Sequence, residues 1–196
     1  MFIWDPREKK QGERRNSLVQ GIDIPVTVLD VFGIEPTKDM LGKNLRPVIQ
    51  RDQAVRSYAL FGMHGAQVNI TDGRYVYMRE PLEGNDLLYN YTQMPTHMRC
   101  LFSVDEMKTA KLHPGFSFTK GTPVLKISAM KDTSGDTSMK KSLGTVLYDL
   151  EKDPKQQHPM EDPKVENRMI RNMVQLMKEN DAPEEQYQRL GLTFIN

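Results

Sequence analysis

The stretch Val68-Asn-Ile-Thr-Asp-Gly-Arg-Tyr-Val-Tyr77 constrains the fold more than any other part of this chain. Apolar and polar residues alternate on both sides of Asp72-Gly73. An Asp-Gly pair between alternating runs is a strong local signal for a two-residue type I′ hairpin turn. With that loop, Ile70 faces Tyr75 and Val68 faces Tyr77, which makes one side of the hairpin apolar. Asn69, Thr71 and Arg74, joined by Val76, fall on the other side.

The helix signals lie at the two ends. Asp162-Pro163 reads as an N-cap followed by a proline at the first helical position. Val165, Met169, Ile170, Met173, Val174 and Met177 then recur at steps of three and four, an amphipathic stripe whose methionines read as core packing. Asn180 ends that helix, and residues 183–190 form a short last helix stopped by Gly191. Near the front, Asp23 reads as an N-cap, Pro25 falls in the first turn and Gly33 suits the position after the C-cap. Val28, Leu29 and Phe32 share one face of that helix. Ser103-Val-Asp-Glu106 is a capping box opening a short helix through about Lys111. Residues 87–91 and 145–150 add short strands, and residues 130–143 are polar and read as a mobile loop. Met1-Phe-Ile-Trp4 reads as a buried strand that stops at Asp5-Pro6. It lacks the basic start and length of a signal peptide, and the expectation is that something upstream is missing. Strands in the middle with helices at both ends make the fold α+β.

Composition excludes more than it assigns. The 196 residues carry 27 Lys and Arg against 26 Asp and Glu, a net charge of +1 that gives no electrostatic reason to expect nucleic acid or an anionic membrane as partner. Mean hydropathy is −0.60, and no apolar run approaches the roughly 18 residues of a membrane span. A single cysteine, Cys100, rules out an internal disulfide framework and a cysteine zinc cluster, and its Arg-Cys-Leu-Phe setting reads as a small buried hydrophobe. There is no glycine-rich phosphate loop, dinucleotide fingerprint or Gly-x-Ser-x-Gly elbow. The histidines, His64, His97, His113 and His158, are too dispersed to spell a metal motif. Asn69-Ile-Thr71 and Asn90-Tyr-Thr92 match the glycosylation sequon, but both fall in expected strands.

Three segments occur in a distinctive order. The first is Phe2-Ile-Trp-Asp-Pro6, then Val19-x-x-Ile-Asp-x-Pro-x-Thr-x-Leu-Asp30, then Gly42-x-x-Leu45. The second is Asp72-Gly-x-Tyr-x-Tyr77. The third is Leu147-Tyr-Asp-Leu-x-x-Asp-Pro154. This succession resembles the C-terminal part of a formylglycine-dependent sulfatase of the alkaline-phosphatase-like superfamily, over about residues 2–82 and 144–180.

The resemblance implies a small antiparallel sheet packed against a C-terminal helix, preceded by a leftover strand and helix of the large α/β domain. Residues 1–50 would be the tail end of that domain and residues 51–196 the C-terminal subdomain. The implied parent reaction is sulfate ester hydrolysis on a sulfated small molecule or sugar, with calcium and formylglycine in the full-length parent. The family's Cys-x-Pro-x-Arg or Ser-x-Pro-x-Arg nucleophile and its calcium aspartates have no counterpart here, so no catalytic residue, no metal ligand and no cofactor is assigned to this chain, which is expected to be inactive alone. Residues 83–143 follow the common core less closely, in a region that often shapes the substrate pocket. There and just before, His64, His97, Arg99 and Lys120 sit in tight turns and are the candidate substrate-binding donors. Two other readings stand beside this one: a non-catalytic interaction module that self-associates through residues 1–34, and a fragment of a related phosphodiesterase or phosphonate hydrolase.

Overall fold

The structure is a computed structural model that describes residues 1–84, 87–97, 100–129 and 144–192. The chain forms α1 (Asp23–Val31), α2 (Arg46–Arg51), β1 (Ala59–Gly62), β2 (Val68–Thr71), β3 (Tyr75–Arg79) and β4 (Tyr89–Thr92). It continues through α3 (Val104–Lys108), β5 (Lys111–His113), a 3₁₀ turn (Ser117–Thr119), β6 (Val124–Ser128) and β7 (Val146–Asp149). It closes with α4 (Pro163–Glu179) and α5 (Glu184–Arg189). The fold is α+β, with small antiparallel sheets and a C-terminal helix. One sheet has the order β1-β2-β3-β7 and the other β4-β6-β5. The expected loop at residues 130–143 lies outside the described residues. No described helix is long and apolar enough to cross a membrane.

The chain divides into two compact units, neither of them one continuous stretch. The first comprises Met1–Phe61, Asn69–Tyr77 and Leu147–Met169; the second comprises Gly62–Val68, Met78–Val146 and Ile170–Asn196.

In the first unit Leu45, Ile70, Tyr77 and Met169 are fully buried. The hairpin forms, with a shifted turn. The Asp72 N–H donates to the Tyr75 carbonyl at 3.3 Å, which makes Gly73 and Arg74 the central pair. Gly73 has φ of 95° and Arg74 is not among the positive-φ residues. A type I′ turn needs two positive φ values, whereas glycine alone at the first central position is the type II′ pattern. Asp72 remains the organiser: its Oδ1 accepts the N–H groups of Arg74 at 3.0 Å and Tyr75 at 2.7 Å, and its Oδ2 accepts Arg168 Nη1 at 2.6 Å. The downstream motif strand also forms. Asp149, at the end of β7, is buried and paired with Arg74 Nη2 at 2.9 Å.

The front of the chain corrects two expectations. Met1–Trp4 is not a buried strand. It is irregular and exposed, Phe2 fully and Trp4 to 75%. Among the described residues no strand lies alongside to take up its backbone groups, and the buried residue of the segment is Asp5, chelated by Arg7. Asp23 is not the cap of α1, a position held by Ile22. Its carboxylate instead turns inward and is fully buried. The inner face of α1 carries Asp23, Val26 and Thr27, while Val28 and Phe32 are exposed. The helix does end as expected. Gly33, at φ of 66°, donates to the Asp30 carbonyl and Ile34 to the Leu29 carbonyl, the paired bonds of a Schellman close.

The second unit holds the β4-β6-β5 sheet, in which Tyr89 pairs with Ser128 and Leu112 with Leu125. Phe102, Val124, Ile127, Met173, Met177 and Leu190 are buried in this unit. The Ser103–Glu106 capping box forms, but α3 stops at Lys108. Residues 111–113 are drawn into β5 because β6 offers them ladder partners, a tertiary override of the local helix signal. Cys100 is exposed, not buried; the apolar anchor of its segment is Phe102. Asp162 caps α4 through Oδ1, which accepts the N–H groups of Lys164 and Val165 at 3.0 and 3.1 Å. The methionines at 169, 173 and 177 are buried along that helix as their spacing implies. After α5, Gly191 sits at φ of 65° and Leu192 donates to the Tyr187 carbonyl.

Candidate functional site

His64, His97 and Lys120 belong to the second unit. His64 lies in the exposed turn after β1, with Nε2 3.4 Å from the Tyr89 carbonyl, a long contact. His97 is exposed, its Nε2 2.8 Å from Glu106 Oε1 and its ring 4.1 Å from that of Phe102. Glu106 is itself gripped by Ser103, whose N–H donates to Oε2 at 2.7 Å, and these bonds hold its carboxyl below the usual glutamate range. Lys120 is exposed at the end of the 3₁₀ turn, in the left-handed conformation with φ of 53°. Arg99 lies outside the described residues. No hydrogen bond joins His64 to His97.

The structure brings together a different set. Lys126, in the middle of β6, pairs with Glu185 of α5 at 2.8 Å and lies 4.2 Å from the centre of the Tyr89 ring, a cation–π distance. Tyr91 Oη also bonds to Glu185. Burial, reinforced by the Glu185 carboxylate, pushes the Tyr91 hydroxyl up to about 12. Burial works against the charge on Lys126, but its bonds to Glu185 and Tyr91 prevail and raise it. The trio is therefore an ammonium–carboxylate–phenol network near neutral pH. What it does is fix an aromatic wall. The Tyr91 ring meets His113 and Phe116 edge-on at 5.2 and 5.0 Å, and Phe116 stacks on Phe118 at 5.2 Å.

Next to that wall is an open recess of about 480 Å³, lined by Phe116, Ser117, Lys178, Asp181, Ala182 and Tyr187. The Ser117 N–H donates to Asp181 Oδ2 at 2.9 Å, and the bonds from Ser117 keep the Asp181 carboxyl low. The Tyr187 hydroxyl is buried without a hydrogen-bond partner among the described residues. The recess combines an aromatic floor with one cation, one carboxylate and the hydroxyls of Ser117 and Tyr187, a surface suited to polar ligands. Sequence reasoning passed over these residues. The legible signal was Lys126, a lysine inside the apolar run Val-Leu-Lys-Ile, because a lysine there needs a partner.

The motif residues at the front of the chain lie in the first unit and form a second cluster. Asp23 Oδ2 accepts the Gln20 N–H at 2.7 Å, Oδ1 accepts the Lys43 N–H at 2.8 Å, and Arg56 closes an ion pair on the same carboxylate. A side chain at Gly42 would overlap the Ile22 carbonyl. This cluster is structural: every lone pair it offers is turned inward to the protein. Among the described residues no three His, Cys, Asp or Glu side chains gather where they could hold a metal ion.

No family model matches the sequence, and no curated protein matches it. Among solved structures the chain is similar to that of BT4656 in complex with its substrate D-glucosamine-2-N,6-O-disulfate, at 13% sequence identity and a TM-score of 0.38. The match covers 89% of this chain and 25% of that one, so this chain spans about a quarter of the length of the structure it matches.

Proposed function

We propose that this chain is the C-terminal part of a sulfatase, contributing fold and part of the substrate pocket to a parent that hydrolyses a sulfate ester. The observation that carries the reading is the closure of the front motif. The aspartate and threonine of Ile-Asp-x-Pro-x-Thr and the glycine and leucine of Gly-x-x-Leu are one interlocked set: Asp23 receives Lys43, Thr27 receives Leu45, and Gly42 fits only because it has no side chain. A spacing that reproduces a family pattern and also closes a specific hydrogen-bond cluster has a physical reason to be kept as a unit.

On this reading calcium and formylglycine belong to the rest of the parent, and no reaction step is assigned to these 196 residues. Residues 1–50 would finish the large domain and residues 51–196 form the subdomain that faces substrate. His64 and Lys120 are exposed donors suited to the anionic group of a sulfated sugar or another sulfated small molecule. His97 is less suited, because the Glu106 carboxylate beside it would repel the same group.

The test is hydrolysis of p-nitrophenyl sulfate and p-nitrophenyl phosphate by the purified chain, with and without calcium. No turnover above buffer is expected. Turnover that disappears in Cys100→Ala or His97→Ala overturns the reading, since it would place an active centre in this chain.

A further inference from the structure

Arg189, at the end of α5, is 3% exposed, yet among the described residues no carboxylate pairs with its guanidinium. Burial lowers its pKa from the ordinary arginine value, and no acidic group acts to raise it. Its partners are neutral acceptors. Nη2 donates to the Gly65 carbonyl at 2.6 Å and to the Ala66 carbonyl at 2.8 Å, and Nη1 lies 3.4 Å from Gln186 Oε1. A guanidinium taken out of water without a counter-charge is unfavourable, and an apolar side chain of similar volume would fill the same space more readily. What the charge adds is a pair of charge-assisted bonds to one short piece of backbone, 124 and 123 residues away in sequence.

That piece is the turn between β1 and β2. The Ala66 N–H donates to the Met63 carbonyl at 3.0 Å and Gly65 sits at φ of 82°, the pattern of a type II turn with His64 and Gly65 as its central pair. Residues 63–66 are all exposed, so the turn buries no side chain of its own, and such a segment opens locally unless something else holds it. Arg189 holds it from a helix end that is itself tied down. The Leu82 N–H donates to the Arg189 carbonyl at 2.8 Å, and Arg79 Nε donates to the Leu190 carbonyl at 2.8 Å. Turn, guanidinium and helix all lie in the second unit.

We propose that Arg189 is the positioning residue for His64, clamping the turn so that the imidazole is presented to an anionic group such as a sulfate. The proposal rests on the reading of His64 as a substrate donor in a sulfatase subdomain. Arg189 does not touch the ligand, because its guanidinium is buried against the two carbonyls. It acts through the backbone that follows the histidine. With the Gly65 and Ala66 carbonyls fixed to α5, His64 Nε2 stays 3.4 Å from the Tyr89 carbonyl at the start of β4. A donor held in place gives up less freedom when a ligand arrives than one on a loose turn.

Two NMR readouts on the purified chain separate the clamp from the reading it serves. The first is amide hydrogen exchange. Arg189→Met should speed exchange of the Ala66 amide by at least about tenfold while the amides of α4 keep their wild-type rates. Arg189→Lys keeps a charged donor on a long stem and should restore most of the protection. Arg189→Gln, too short to reach the turn, replaces the methionine variant if that one does not fold. Unchanged Ala66 exchange in the methionine or glutamine variant overturns the proposal. So does a lysine variant no better protected than they are. The second readout is titration of the His64 ring resonances with sodium sulfate, against sodium chloride at matched ionic strength. Sulfate should shift them in the wild-type chain, and Arg189→Met should need several-fold more sulfate for the same shift. An equal response in both overturns the positioning role. A wild-type ring that ignores sulfate overturns the reading of His64 as a donor, and Ala66 exchange still decides whether Arg189 holds the turn.

Discussion

The backbone N–H of Leu45 donates to Thr27 Oγ1 at 3.0 Å, and that hydroxyl donates in turn to the Asp23 carbonyl at 2.7 Å. One side chain thereby satisfies two buried backbone groups, the Asp23 carbonyl and the Leu45 N–H, 22 residues apart in sequence. Thr27→Val keeps the shape and removes both bonds. It should destabilise the protein by about 1–3 kcal/mol, the cost of leaving a buried donor unmet. Thr27→Ser should retain most of the stability. Equal melting temperatures for the valine and serine variants would show that the hydroxyl does not carry the joint.

Gly42 is held by space rather than by backbone angle. Gly42→Ala drives a Cβ into the Ile22 carbonyl and should cost about 1–3 kcal/mol. Gly21→Ala, where nothing lies within 4 Å, should stay within about 0.5 kcal/mol of wild type. Urea midpoints for the two variants check the pair, and the reverse order would contradict the packing described for Ile22.

The hairpin turn sets a third ordering. Gly73 sits at φ of 95°, so Gly73→Val forces a β-branched residue into the left-handed region at a cost of about 1–3 kcal/mol. His64→Ala and His97→Ala remove exposed side chains and should each cost less than about 1 kcal/mol. Denaturant midpoints should fall furthest for the glycine variant.

Acid sensitivity follows from two aspartates. Hydrogen bonding to Arg7 holds the Asp5 carboxyl below its ordinary value of 3.8, and hydrogen bonding to Arg74 does the same for Asp149. A carboxyl whose pKa is lower in the folded state contributes stability that is complete above its unfolded pKa and is lost as pH falls through the folded one. The urea midpoint should therefore be flat with respect to these groups from about pH 5 upward and decline as pH drops below 3.8. Arg74→Met should shrink the share of that decline due to Asp149. An unchanged acid limb in the variant would contradict the assignment.

Elements whose signals are local were legible in the sequence. Asp162 caps α4, the methionine stripe is buried, Gly33 and Gly191 close their helices, and Ser103 with Glu106 forms its box. Where a long-range partner decided the outcome, the sequence misled. Residues 111–113 are helix-compatible but pair with β6. Asp23 has the composition of a cap, yet its carboxylate is claimed by Gln20, Lys43 and Arg56. The Met1–Trp4 run is apolar enough for a buried strand but has no described strand to pair with. The recess beside Phe116 was illegible because its residues come from two stretches more than 60 positions apart, joined by the Ser117–Asp181 bond.

The central claim is that these residues are the C-terminal part of a sulfatase. Sequencing the DNA immediately upstream of the codon for Met1 tests it most directly. The account predicts an uninterrupted reading frame encoding a larger α/β body with a Cys-x-Pro-x-Arg or Ser-x-Pro-x-Arg motif. An in-frame stop directly before Met1, or a long upstream frame without that motif, would contradict it.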